Sequence, residues 1–253
     1  MASSSVRSLF SRAAPKATKE AAKKVSSPPA TQTRSLATTA DVPTGAGFWD
    51  AVKARRTYYN LQNKSSVSDA RLEEIVAEAL KYGPSAFNIQ STRAVLVLGD
   101  KHKQVWDVIY DSHKPNMGDE AAQKAQKEKF DAVYRGGYAT ICFFEDTVTT
   151  DKFLETMPFL KGKFPLWTAN TAGIAQYIVW AGLAAEGMGA NLQHYSQFHD
   201  DNQAAINKFL GVPESWVGTA QMVVGVPSDR GAPGAPEFPK TWNPTSDKLK
   251  VVQ

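Results

Sequence analysis

In SVSDARLEEIVAEALKYG, residues 66–83, Leu72, Ile75, Val76, Ala79 and Leu80 recur at the three-and-four spacing of one helical face, and charged residues fill the opposite face. Ser68 is an N-cap residue type and Gly83 followed by Pro84 is a stop, so the pattern predicts a helix bounded by those signals. GAGFWDAVKARRT, residues 45–57, predicts a short helix that ends near the β-branched Thr57. DKHKQVWDVIYDSH (100–113, capped by Asp100) and DDNQAAINKFLG (200–211) predict further helices, and GDEAAQKAQKEKFDAVYRG (118–136) a polar, charged one. RAVLVLG (93–99) and YATICFFED (138–146) are continuous apolar runs of strand length, read as buried strands, and WVGTAQMVVGVP (216–227) reads as a last strand. TVTTDKFLETMPFL starts helical and breaks at Pro158, and KGKFPLW, residues 161–167, reads as a loop.

TANTAGIAQYIVWAGLAAEGMGA, residues 168–190, is the most apolar helix, with Ala172, Gly173, Ala175, Ala181 and Gly182 interleaved among Ile174, Ile178, Trp180 and Leu183. Gln176 and Glu186 interrupt it short of the roughly 20 apolar residues that a bilayer requires, so the reading is a central helix buried all round, not a membrane span. Its small residues suit close approach of another helix and a tight subunit interface. The Pro-rich end, residues 228–253, reads as an extended tail that wraps over something. Helices outnumber strands in an α+β arrangement, with strands separated by helices or loops too long for simple hairpins.

The length, 253 residues, suffices for one large domain or two small ones with a real core. The formal charge of +4 is unevenly placed: residues 1–40 hold seven cations against Glu20, a local +6, which leaves −2 for residues 41–253. The body therefore carries no electrostatic footprint for nucleic acid. The leader is rich in Ser, Ala, Lys and Arg with an amphipathic start, and Arg34-Ser35-Leu36-Ala37 resembles a presequence cleavage site. A mitochondrial transit peptide over 1–40 followed by one domain over 41–253 is expected, the alternative being a disordered tail on a cytoplasmic protein. The single cysteine, Cys142, lies in an apolar run and reads as a core residue; with no intrachain disulfide to form, a reducing compartment is consistent.

The chain has no G-x-G-x-x-G after a strand, no G-x-x-x-x-G-K-[ST], no H-E-x-x-H and no G-x-S-x-G, and His102, His113, His194 and His199 are too scattered to specify a metal. What remains could hold a flavin mononucleotide (FMN). Arg55, Arg56 and Thr57 offer two cationic forks and a hydroxyl to a phosphate, although the arginines equally suit the end of a helix. In PSAFNIQ, residues 84–90, the small Pro84, Ser85 and Ala86 keep the backbone approachable while Asn88 and Gln90 carry amides; a plain connector reads the same way.

Taken in order, RRTYYNL, PSAFNIQSTRAVLVLG, HKQVWD, GANLQHY and PKTW resemble the FMN-dependent nitroreductase family, in its fungal and bacterial branch of fatty-acid-repression-mutant-like members. The resemblance covers about Phe48 to Val251. It implies the nitroreductase α+β fold, a central, mainly antiparallel sheet flanked by helices, with the long helix at a homodimer interface. It further implies that Arg55, Thr57 and Arg56, with Lys240 of the tail, bind the FMN phosphate, Arg230 being the alternative to Lys240. Ser85, Asn88 and Gln90 would contact the ribityl chain or ring of flavin held mainly by the partner subunit, and Gly189, Ala190 and Asn191 would lie over the flavin with backbone N–H groups near N5. His194 and Tyr195 would be proton donors or pocket walls. No protein nucleophile is required, since the cofactor carries the chemistry. The implied activity is ping-pong hydride transfer from NADH or NADPH to a small-molecule acceptor, a nitroaromatic or quinone. The alternatives are a flavin-binding regulatory or stress-response protein with little turnover, linked to lipid signalling or oxidative stress, and a plain interaction protein. Family members commonly continue Gln90 with Pro-Trp; here Ser91 and Thr92 follow, which alters the pocket rim.

Overall fold

The computed structural model describes residues 46–228 and 242–253. The proposed leader and both candidate phosphate ligands of the tail, Lys240 and Arg230, lie outside the described residues. Twelve elements follow one another: α1 (Ala46–Ala54), β1 (Leu61–Gln62), α2 (Asp69–Tyr82), β2 (Thr92–Leu98), α3 (Gly99–His113), α4 (Glu120–Lys129), β3 (Ala139–Asp146), α5 (Thr147–Thr156), α6 (Phe164–Ala185), β4 (Gly189–Gln193), α7 (Asp200–Leu210) and β5 (Trp216–Pro227).

The sheet has the order β1-β5-β3-β2, with β4 also paired to β5, and every pairing between named strands is antiparallel. β3 occupies the middle: Val95 of β2 and Gln221 of β5 lie opposite Cys142. Because side chains alternate along a strand, β3 feeds two layers. Ile141 and Phe143 join Leu72, Ile75 and Ala79 of α2 and Val179 and Leu183 of α6 in a mainly aliphatic layer. Cys142 and Phe144 face the other side, where Trp106 and Ile109 of α3, Phe130, Tyr134, Tyr195 and Ile206 form an aromatic-rich layer. Helices on both faces of a mainly antiparallel sheet give the α+β architecture that the sequence implied.

Local signals account for several boundaries. Ser68 accepts a hydrogen bond from the Arg71 N–H at 3.2 Å, and the Gly83 N–H closes α2 on the Ala79 carbonyl at 2.9 Å. Gly211 ends α7 at a φ of 67°, in the left-handed region. Asp119 caps α4, whose polar helix continues as a π-helical turn over Phe130–Tyr134 and so turns Phe130 and Tyr134 into the core.

Several expectations need correction. The apolar helix stops at Ala185, and Gly189 and Ala190 belong to β4. KGKFPLW is not all loop, because α6 begins at Phe164 with Pro165 in its first turn, where a missing N–H costs nothing. Asp100 is a first-turn residue of α3, not its cap, which is Leu98. RAVLVLG is an edge strand, mostly half-buried. α6 is not buried all round in the single chain: Thr171, Ala175, Gln176 and Val179 face inward, while Leu166, Ile174 and Tyr177 are exposed.

Candidate functional site

α1 stops at Ala54, and the chain then runs as an extended segment along the free edge of β4. Thr57 forms an isolated parallel bridge with Ala190, and the Tyr58 N–H donates to the Ala190 carbonyl at 3.0 Å. Asn191 Nδ2 donates to the Tyr58 carbonyl at 3.0 Å, fixing the same register from the side chain. The fold thus brings Arg55, Arg56 and Thr57 beside Gly189, Ala190 and Asn191, two groups of candidates more than 130 residues apart in sequence. Gly189 is required by packing: a Cβ there would meet Pro227 Cγ at 2.6 Å and the Tyr58 ring at 2.9 Å. Gly189, Ala190 and Asn191 are all buried, whereas Thr57 is exposed and the two arginines are half-buried.

The Arg55 guanidinium lies over the Trp180 ring of α6, 4.6 Å from its centroid. The buried Nε1 of Trp180 has no hydrogen-bond partner among the described residues. From Asn191 the polar contacts continue inward: Gln193 Nε2 donates to Asn191 Oδ1 at 3.0 Å, and the Tyr134 hydroxyl donates to Gln193 Oε1 at 3.2 Å. Tyr134 and Tyr195 hydroxyls lie 3.3 Å apart. Burial raises the pKa of both tyrosines, so each hydroxyl keeps its proton. His194 is held below its ordinary value by burial, which favours the neutral ring. Gln193, Tyr134 and Trp180 were not among the residues expected here; they reach the corner only through β4 and the turns of the fold.

Ser85, Asn88 and Gln90 lie elsewhere, after the end of α2, where a small cleft is lined by Pro84, Ser85, Gln90, Thr171 and Ala175. Three non-glycine residues of this turn, Phe87, Asn88 and Gln90, have φ between 52° and 55°. Such backbone costs about 1–3 kcal/mol per residue and persists only where surrounding contacts hold it. Here Ser85 Oγ accepts from the Gln90 N–H at 3.1 Å, and the Phe87 ring packs against Phe153 at 5.0 Å. Asn88 and Gln90 are exposed in this turn, so their side-chain amides can meet a ligand. Among the described residues no cluster of His, Cys, Asp or Glu could hold a metal, and no helix is long and apolar enough to cross a membrane.

The donor set suits a flavin nucleotide. Two guanidinium groups and a hydroxyl match a phosphate dianion, and exposed amides match the polar edge of a fused ring.

Comparison with known proteins agrees. The nitroreductase family model matches residues 52–226. The nitroreductase FRM2 of Saccharomyces cerevisiae is 35% identical over 188 residues, 74% of this chain and 90% of that protein. Nitroreductase CinD from Lactococcus lactis, solved with nicotinic acid, superposes with a TM-score of 0.70 at 30% identity, covering 81% of this chain and all of CinD; its complex with 4-nitrophenol gives 0.67 at 31% with the same coverage. A Desulfovibrio desulfuricans protein solved with FMN shares the fold at 16% identity, with a TM-score of 0.57 over 81% of this chain and 96% of its own. With a matched segment that runs from α1 to the end of β5 and holds both parts of the site, the chain belongs to the nitroreductase family of flavin-dependent oxidoreductases.

Proposed function

We propose that the protein is an FMN-dependent NAD(P)H oxidoreductase that reduces nitroaromatic or quinone acceptors by a ping-pong route. The observation that carries this reading is the junction of Arg55–Thr57 with Gly189–Asn191, which sets two cations and a hydroxyl beside a rigid strand edge. Arg55, Arg56 and Thr57 bind the phosphate, with Lys240 as a further cation. Arg55 is pre-positioned over Trp180, so less side-chain entropy is lost when it binds. Bound FMN would supply the two-electron chemistry, accepting hydride from NADH or NADPH and returning it to the acceptor. Asn88 and Gln90 orient the polar edge, and the partly buried Asn191–Gln193–Tyr134 chain keeps the β4 edge in place. His194, which follows the end of β4, serves as a pocket wall.

Ser85, Asn88 and Gln90 complete the pocket from a second copy of the chain. Two exposed apolar regions support a homodimer: the α6 stripe with Leu166 66% exposed, and the described tail with Trp242 75% and Val252 83% exposed. The basic, acid-poor composition of residues 1–40 supports import into mitochondria.

The test is flavin retention. Arg55→Ala is expected to lower the FMN bound after desalting by about tenfold, the scale of one charge-assisted contact, with the melting profile of the stripped protein unchanged. Unchanged flavin content would sink the phosphate assignment. Bleaching of the flavin bands by anaerobic NADH or NADPH, with recovery on adding a nitroaromatic, tests the reaction itself.

A further inference from the structure

A cavity of about 620 Å³ opens at the other end of the sheet, between the first turns of α6, α5, the start of β5 and the turn after β4. None of the described flavin-binding candidates lines it. Leu154, Phe198 and Val217 give it apolar wall, Lys161, Asp151 and Asp200 are among its polar lining, and Glu145 at the end of β3 is its most buried charged group. The volume is within the roughly 300–1,000 Å³ of small-molecule sites.

Glu145 is 8% exposed. Ser91 Oγ donates to its Oε2 at 2.6 Å, and Thr92 Oγ1 donates to its Oε1. These two hydroxyls use half of the lone-pair positions of a carboxylate. Arg93, the adjacent cation, is drawn to Asp146 at 2.9 Å instead. Among the described residues its hydrogen bonds come from neutral donors, and a buried carboxylate so held has unmet acceptor capacity, which a ligand donor would relieve. Burial accordingly raises its pKa, against the two hydroxyl contacts.

We propose that this cavity binds a flat aromatic molecule that presents an N–H or O–H donor to Glu145, at a site distinct from the flavin pocket. The exposed Phe198 ring offers a face or edge to an aromatic body, and the Glu145 carboxylate sets its orientation. Ser91 and Thr92 directly follow Gln90, so the ligand contact and the flavin-facing turn share one short segment.

The experiment titrates the full chain, as purified with its flavin, with 4-fluorobenzamide and with 4-fluoroacetophenone, a near-isostere lacking the N–H donor, followed by fluorine NMR. The amide is expected to bind about fivefold more tightly, the scale of one hydrogen bond. Glu145→Met, which removes both acceptor oxygens at similar length, should remove that preference. Val217→Trp, at a half-exposed wall position, should abolish binding of both probes by filling the cavity, with flavin absorbance and circular dichroism unchanged. Equal affinity for the two probes, undiminished binding to Val217→Trp, no binding by either at several millimolar, or release of flavin on probe binding would each overturn the proposal. Because no described flavin-binding candidate lines the cavity, a protein purified without flavin is expected to show the same probe preference, which separates this site from the cofactor assignment.

Discussion

Residues 55–57 and 189–191 meet along the edge of a hydrogen-bonded sheet, with Gly189 packed so closely that a Cβ has no room, whereas residues 84–90 place three non-glycine residues at positive φ within four positions. The first part is rigid because ordinary strand geometry and dense packing leave no alternative. The second is held in an unfavourable conformation by Ser85 and by the Phe87–Phe153 contact. Packing positions the residues proposed for the phosphate; stored strain positions those proposed for the ring. Stability and function should accordingly respond together at the first part and oppositely at the second.

The largest effect is expected at the packed part. Gly189→Val should destabilise the protein by about 3 kcal/mol, since even its Cβ would lie 2.6 Å from Pro227, and flavin retention should fall with it. A thermal melt of the variant checks this, and an unchanged midpoint would mean that the corner has slack. Next comes acid sensitivity of the aromatic layer behind the sheet. His102, 1% exposed, shares Thr140 Oγ1 with Trp106 Nε1, and burial lowers its pKa to about 4. The unfolded chain, with an ordinary value near 6.5, binds the proton first, so stability is complete above about pH 6.5 and is lost as pH falls toward 4. Between pH 7 and 5 the loss from this group should be about 2 kcal/mol. Denaturant titrations at the two pH values test it, and His102→Gln should flatten the dependence. The smallest change is expected at the strained turn, with opposite sign. Gln90→Gly should raise stability by about 0.5 kcal/mol, because glycine accepts a φ of 52° without steric cost, while flavin retention falls through loss of the amide. A destabilised Gln90→Gly would erase the contrast between the two parts.

The same contrast decides what was legible in the sequence. α2 could be read with both ends because Ser68 and Gly83–Pro84 act locally on a pattern of three-and-four spacing. β3 was legible as an uninterrupted apolar run because it is covered on both faces. The start of α6 was hidden by Lys161-Gly162-Lys163, and its exposed stripe by its composition: Leu166, Ile174 and Tyr177 are apolar like the inward residues, so no periodic signal separates the faces. The left-handed turn carries no glycine at Phe87, Asn88 or Gln90, so nothing local announced it. Family resemblance named the residues of both parts, but the Tyr58–Asn191 junction and the Gln193–Tyr134 contact depend on strands far apart in sequence. The wall around Glu145 likewise gathers side chains from α5, α6 and β5, none of which carries a motif.

Cys142 sits fully buried at the midpoint of β3, its thiol pushed up to about 12 by burial. In a protein assigned to electron transfer this removes thiol chemistry from the native state, because the reactive thiolate is scarce and covered. It also supplies an internal gauge. A maleimide can reach this sulfur only when the middle of the sheet opens, and there is no second cysteine to compete. Labelling rates with flavin bound and removed would therefore report how much the cofactor tightens the sheet, as a free energy of opening.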